Sequence, residues 1–129
     1  MGKHKTIVVI EDDPHLQQDL TIALVEAGLA VHNAYDGNEG LRLVLEKKPD
    51  VVLLDLILPK KDGFNVLQEI KKDSRTEHIP VIVLSNLETS ANVEHAVRLG
   101  AVSYLVKSNY QTKDVLAKVE SVLSEREHA

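Results

Sequence analysis

Apolar residues along this chain fall into two alternating patterns. Short β-branched runs are followed by longer stretches in which apolar positions recur every three or four residues. The first run, TIVVI (6–10), reads as a buried strand. Asp13-Pro14 then supplies an N-cap and a first helical residue, and Leu16, Leu20, Ala23, Leu24 and Ala27 continue at helical spacing to the stop signal Gly28. AVHNAY (30–35) alternates as a strand near a sheet edge would. Residues 37–48 place Leu41, Val44 and Leu45 on one helical face before the breaker Pro49. DVVLLD (50–55) is the most apolar run and predicts a central strand. Asp62-Gly63 leads into a helix carrying Phe64, Val66, Leu67 and Ile70. Pro80 opens the strand VIVLS (81–85). Residues 88–99 predict a helix with a weaker apolar face, ending at Gly100, and AVSYLVK (101–107) predicts the fifth strand. The last helix carries Val115, Leu116, Val119, Val122 and Leu123.

Five strands, each followed by a helix, make a (βα)₅ chain. Strands joined by helical crossovers require a parallel sheet with right-handed connections. Helices must then cover both faces, giving a doubly wound, three-layer α/β domain. At 129 residues the chain reads as a single domain over 1–129, with a core of about 5–126. In such sheets, sites form outside the carboxyl ends of the strands, where the strand order switches. The residues at those ends are polar. Strand one runs into Glu11-Asp12-Asp13, strand three ends in Asp55, strand four in Ser85 and strand five in Lys107.

Each of these has a bland reading when taken singly. Glu11 and Asp12 suit a solvated turn near a helix N-terminus, where the dipole favours acids. A serine ending a strand is common, and a lysine at a sheet edge is ordinary. Asp55 could cap the next helix, but Asp62 is better placed for that. Together, three acids, a hydroxyl and an ammonium at one edge call for a chemical reason. Asp55 ends an apolar run, where an ionised carboxylate is costly to bury unless paired. Glu11, Asp12 and Asp55 raise one another's pKa unless a cation intervenes. Mg²⁺ suits an all-oxygen site with one or two carboxylates, and Lys107 supplies a fixed positive charge opposite. The chemistry this supports is attack by a carboxylate oxygen on phosphorus, giving an acyl phosphate. Mg²⁺ and Lys107 would neutralise phosphoryl oxygens, and Ser85 could hydrogen-bond one.

Composition removes several other classes. Hydrophobic residues at 43% and charged residues at 27% are ordinary for a globular protein. The absence of Cys excludes disulfide and thiolate chemistry. No apolar run approaches the roughly 18 residues of a membrane span. The basic N-terminus leads into a short apolar run that ends in acids, unlike a signal peptide. A cytoplasmic protein without membrane contact is expected. A net charge of −5, one Phe, three Tyr and no Trp argue against direct nucleic-acid contact. The six histidines (4, 15, 32, 78, 95, 128) show no ligand spacing and read as surface or packing residues.

Over nearly its whole length the chain resembles the receiver domain of bacterial two-component response regulators. The motifs are VVIEDDP, LLDLILPKKDGFNVL, IPVIVLS and SYLVK. Their spacings fit too: 43 residues from Asp12 to Asp55, 30 from Asp55 to Ser85 and 22 from Ser85 to Lys107. The resemblance implies a flavodoxin-like fold with strand order 2-1-3-4-5. It implies Asp55 as phosphoacceptor, Asp12 as direct Mg²⁺ ligand, Glu11 holding a metal-bound water, and the Ile57 backbone carbonyl as the remaining protein ligand. Ser85 and Lys107 match the family's hydroxyl and lysine, and Tyr104 its switch aromatic. Asp13 falls outside the metal pair and is left to cap the first helix. The implied activity is that of a phosphorylation-activated switch. It assists its own phosphorylation and dephosphorylation but is not an enzyme acting on a separate substrate. The donor would be a histidine kinase or histidine phosphotransfer protein. The face built from residues 88–123 would signal to a downstream effector, with room for a phosphorylation-dependent homodimer.

Six positions bear on how closely the chain follows the family's usual pattern. Ser108 follows Lys107 in place of a cis-forming Pro, so a trans bond or a strained cis bond is expected there. Asn86 replaces a small residue and could narrow access to the acyl phosphate. Ile57 and Leu87 are apolar where a polar side chain could orient an attacking water, which predicts slow self-dephosphorylation. Val102 and Ser103 stand where many DNA-binding members carry an acidic pair. Three alternatives remain in view: a receiver-fold interaction module working without phosphorylation, a Mg²⁺-dependent aspartyl phosphohydrolase, and a flavodoxin-like cofactor carrier. The phosphohydrolase pattern wants its nucleophile after strand one with a second Asp two residues on, where Ile57 stands here. The carrier needs a phosphate-cradling loop where Glu11-Asp12-Asp13 would repel phosphate.

Overall fold

The computed structural model describes residues 4–127. Its elements alternate as the sequence pattern requires: β1 (Thr6–Ile10), α1 (Pro14–Glu26), β2 (Ala30–Ala34), α2 (Gly37–Lys47), β3 (Val51–Leu54), α3 (Gly63–Lys72), β4 (Val81–Ser85), α4 (Ser90–Leu99), β5 (Ser103–Val106) and α5 (Thr112–Glu127). A 3₁₀ turn over Lys107–Asn109 separates β5 from α5. The five strands form one parallel sheet in the order β2-β1-β3-β4-β5.

The period of two along each strand sorts the core into two layers. Val8, Ile10, Val52, Leu54, Val81 and Val83 face α2, α3 and α4. Ile7, Val9, Val51, Leu53, Ile82, Leu84 and Leu105 face α1 and α5. The central strands β1, β3 and β4 are therefore buried on both sides, which is why their sequences are continuous apolar runs.

Helix starts follow from side-chain caps. Asp13 accepts from the His15 and Leu16 N–H groups, Asp36 from Glu39, Asp62 from Asn65 and Thr89 from Asn92. The cap places the start of α4 at Ser90, two residues later than its apolar pattern indicates. β5 is also shorter than the run 101–107. Gly100 adopts a left-handed φ of 114°, and the Ala101 N–H donates back to the Ala96 carbonyl at 3.0 Å. Ala101 is thus used to close α4, and pairing within β5 begins at Ser103. At the other end, Lys107 leaves the strand in the 3₁₀ turn. No peptide bond among the described residues is cis, so the Lys107–Ser108 bond is trans.

Candidate functional site

The strand order puts the carboxyl ends of β1 and β3 side by side, with β4 and β5 following. Glu11 continues directly from β1 and is buried at 2% exposure. Its Oε1 lies 2.7 Å from Lys107 Nζ, and its Oε2 accepts from the Asp13 N–H at 3.0 Å. Its backbone N–H donates to the Ala34 carbonyl at 3.0 Å, which extends the β1–β2 ladder by one step. Asp12 is exposed, and Asp13 turns away to cap α1.

Asp55 follows β3 and is 4% exposed. Its backbone N–H donates to the Ile10 carbonyl, which pins it beside β1. Its Oδ2 accepts from Lys107 Nζ at 2.9 Å and its Oδ1 from the Ile57 N–H at 3.2 Å. The loop beyond it folds tightly onto the start of α3. A β-carbon on Gly63 would lie 2.4 Å from the Asp55 carbonyl oxygen, so that approach admits no side chain.

Carboxylate oxygens of Glu11, Asp12 and Asp55 all lie within 4.8 Å of one another. Two of these acids are buried and Asp12 is exposed, which leaves the cluster open to solvent on one side. An all-oxygen, partly open donor set of this kind fits a hard divalent cation such as Mg²⁺. Burial pushes the Glu11 carboxyl up to about 7, aided by the Asp55 charge and opposed by Lys107 and the Asp13 N–H. Burial pulls the other way on Lys107, but its bonds to Glu11 and Asp55 outweigh it. Its pKa is raised and the ammonium stays charged.

Ser85 is fully buried at the end of β4, and its Oγ accepts a long 3.4 Å bond from the Leu87 N–H. Tyr104 is half-buried, and its hydroxyl donates to the Leu87 carbonyl at 2.6 Å. Burial, and then the Asp55 charge, raise its pKa. Ser85 and Tyr104 thus meet through Leu87. Ile57 is 55% exposed beside the carboxylates and Asn86 is exposed.

The family model for the response regulator receiver domain matches residues 7–120. The chain belongs to this family. Receivers are phosphorylation-controlled switches of two-component signalling, and this chain is one. It is 38% identical over 117 residues to RpaA, a DNA-binding dual master transcriptional regulator of Synechocystis sp.; the match covers 91% of this chain and 48% of that protein. The chain spans about half the length of the curated relatives it matches. The receiver also matches the phosphorylated cyanobacterial phytochrome response regulator RcpA at 32% identity, with a TM-score of 0.79 and coverage of 93% and 91% of the two chains. A CheY-like receiver from Methanospirillum hungatei superposes with a TM-score of 0.91 over 98% of both chains, at 24% identity, and shows the shared fold.

The structure of this receiver brings Glu11, Asp12, Asp55 and Lys107 together at the sheet edge, while Ser85 ends β4 with its Oγ at the Leu87 N–H and Asp13 caps α1. The strand order expected from the resemblance is present. Two histidines make local contacts of the packing kind: His95 stacks on Phe64 at 4.5 Å between ring centroids, and His4 Nδ1 lies 2.8 Å from the Gly28 carbonyl oxygen. His128 lies outside the described residues. Sequence reasoning missed Gln17, a buried amide under the acidic turn. Its signal was a polar residue in the α1 stripe otherwise formed by Leu20 and Leu24.

Proposed function

We propose that Asp55 is the phosphoacceptor of this receiver, with Lys107 and Ser85 assisting the transfer and Tyr104 reporting it. One observation carries this reading. A buried carboxylate at the sheet edge lies 2.9 Å from a charged ammonium and shares its pocket with two further acids. The donor is a phosphohistidine on a histidine kinase or histidine phosphotransfer protein. An Asp55 carboxylate oxygen attacks phosphorus, the P–N bond breaks and the imidazole leaves. Mg²⁺, held by Asp12, Asp55 and the Ile57 carbonyl with Glu11 behind a bound water, would neutralise phosphoryl charge. Lys107 already touches Asp55 and Glu11, so it can remain as the fixed counter-charge once Asp55 carries the new dianionic group. The domain thereby assists its own phosphorylation and dephosphorylation.

Ser85 then turns its hydroxyl toward the phosphoryl group and gives up its weak bond to Leu87. The same residue tethers Tyr104, so the two responses are mechanically linked. Tyr104 moves inward, and the face built from residues 88–123 changes. This is a local charge event biasing a two-state element. The partner of that face is an effector protein or domain. RpaA being named a DNA-binding transcriptional regulator favours a DNA-binding output carried elsewhere in the protein, with no nucleic-acid contact by this receiver. Val102 and Ser103 give no acidic pair to a homodimer through that face. We read residues 1–129 as one receiver unit working in the cytoplasm; no helix among the described residues is long and apolar enough to cross a membrane.

The test is labelling by acetyl phosphate in the presence of Mg²⁺, followed by intact mass and peptide mapping. A Mg²⁺-dependent phosphoryl adduct is expected on wild type and none on Asp55→Asn. Labelling that persists on another residue would refute the assignment.

A further inference from the structure

Gln17 is the one polar member of the buried α1 stripe that continues through Leu20 and Leu24. At 1% exposure, its side chain ends beneath the turn carrying the acidic pair. Its Nε2 lies 2.7 Å from the Ala34 carbonyl oxygen, 3.0 Å from that of Val9 and 3.1 Å from that of Glu11. Three acceptors surround this atom, so it must be the NH₂ end of the amide. The other end is fixed as well, because Oε1 accepts from Asn33 Nδ2, which also donates to Thr21 Oγ1 at 2.9 Å. A leucine here would pack but would leave these strand-end carbonyls without that donor.

The Glu11 carbonyl and the Asp12 N–H belong to one rigid peptide plane. A donor on that carbonyl therefore sets the rotation of the link between the two acids. Glu11 is held on its opposite side by the Ala34 carbonyl through its own N–H. Ala34 receives both bonds, one from the Glu11 backbone and one from Gln17. The amide thus ties the ends of β1 and β2 to α1 at the point where the strands part.

We propose that Gln17 is a positioning residue for the cation site. It locks the Glu11–Asp12 peptide, so that the two carboxylates are presented at a fixed separation from Asp55. It touches neither phosphate nor metal and acts through Glu11 and Asp12. This rests on the reading of the acidic cluster as a Mg²⁺ site.

The experiment compares Mg²⁺ affinity, by calorimetry or NMR titration, in wild type, Gln17→Met and Leu24→Ala. Met keeps the length and loses the donor; Leu24→Ala loosens the same helix stripe about two turns away. Gln17→Met is expected to weaken Mg²⁺ binding about tenfold and to shift the Asp12 and Asp13 amide resonances in the metal-free protein. Leu24→Ala is expected to lower the melting temperature and leave Mg²⁺ affinity at the wild-type value. If Gln17→Met does not fold, Asn33→Ala frees the Oε1 end and should weaken Mg²⁺ binding in the same direction, about threefold. Wild-type affinity in both amide variants overturns the inference, as does an equal loss in Leu24→Ala. A wild type that binds no Mg²⁺ overturns the cation-site reading itself, and this inference with it.

Discussion

Lys60 holds the least comfortable backbone in the acceptor loop. Its φ is 71°, and the following Lys61 N–H donates back to the Pro59 carbonyl at 2.8 Å. A bond from residue i+2 to residue i around a positive φ is the strained form of γ-turn. A left-handed conformation costs an L-residue roughly 1–2 kcal/mol, and glycine almost nothing. The Lys60 side chain returns little, since its contact with Asp36 is 3.8 Å long and the lysine is exposed. Lys60→Gly is therefore expected to stabilise the domain by about 0.5–1 kcal/mol, net of glycine's greater freedom in the unfolded chain. Urea unfolding of the two proteins checks this, and a destabilised variant would show that the lysine contributes through its side chain. Ile57 makes a different argument in the same loop. It stands exposed over the carboxylates and offers no polar atom beyond its backbone. The phosphorylated domain is expected to lose its phosphoryl group slowly, and Ile57→Asn to shorten its lifetime several-fold by orienting a water. A phosphorylated wild type that decays within seconds would remove this explanation.

Among the elements, α4 is the least anchored. Ala96 is its one buried residue, while Val97 is 53% exposed. Its position depends on the Thr89 cap, on the Phe64–His95 stack and, through the preceding loop, on the Tyr104 hydroxyl at the Leu87 carbonyl. Removing that hydroxyl should cost about 0.5–1.5 kcal/mol locally. Tyr104→Phe is accordingly expected to speed amide exchange across residues 86–99 several-fold while leaving α1 and α5 protected, as read by hydrogen-exchange mass spectrometry. Unchanged exchange there would show that α4 is held by its packing instead. The same element shows where sequence reading ran out. Helices α1 and α3 began where Asp13 and Asp62 indicated, because a cap is written locally. The α4 start was misplaced because its cap, Thr89, lies inside a run whose apolar pattern is weak. Buried parallel strands all read as the same apolar run, so their order came from the family resemblance and not from the pattern. The acids at the sheet edge were legible because topology alone collects strand ends. Gln17 left only a polar residue within the α1 stripe, and its role was hidden because its partners Ala34 and Asn33 are distant in sequence.

At the scale of the whole molecule, the acidic pocket should govern how stability responds to pH. Glu11 has its pKa raised from 4.5 to about 7, chiefly by burial, so the folded state holds a proton that the unfolded state releases at lower pH. Between these two values the folded chain binds more protons than the unfolded chain. Stability contributed by that proton is present below about 4.5 and is lost as pH rises through about 7. The opposite case, Asp73, is held down to about 2 by its hydrogen bonds to Arg75, so its contribution falls away only below the range in which Glu11 titrates. In chelator, the melting temperature is therefore expected to decline between about pH 5 and 7, by an amount on the order of several degrees. Glu11→Gln, which stays neutral, should flatten that decline. Mg²⁺ must compete with the same proton, so its apparent affinity should rise across this window and level off above it. Melting curves at a series of pH values, with and without Mg²⁺, read both effects. A wild type whose stability rises from pH 5 to 7 in chelator would show that Glu11 ionises freely in the fold, held by Lys107 more strongly than burial opposes it.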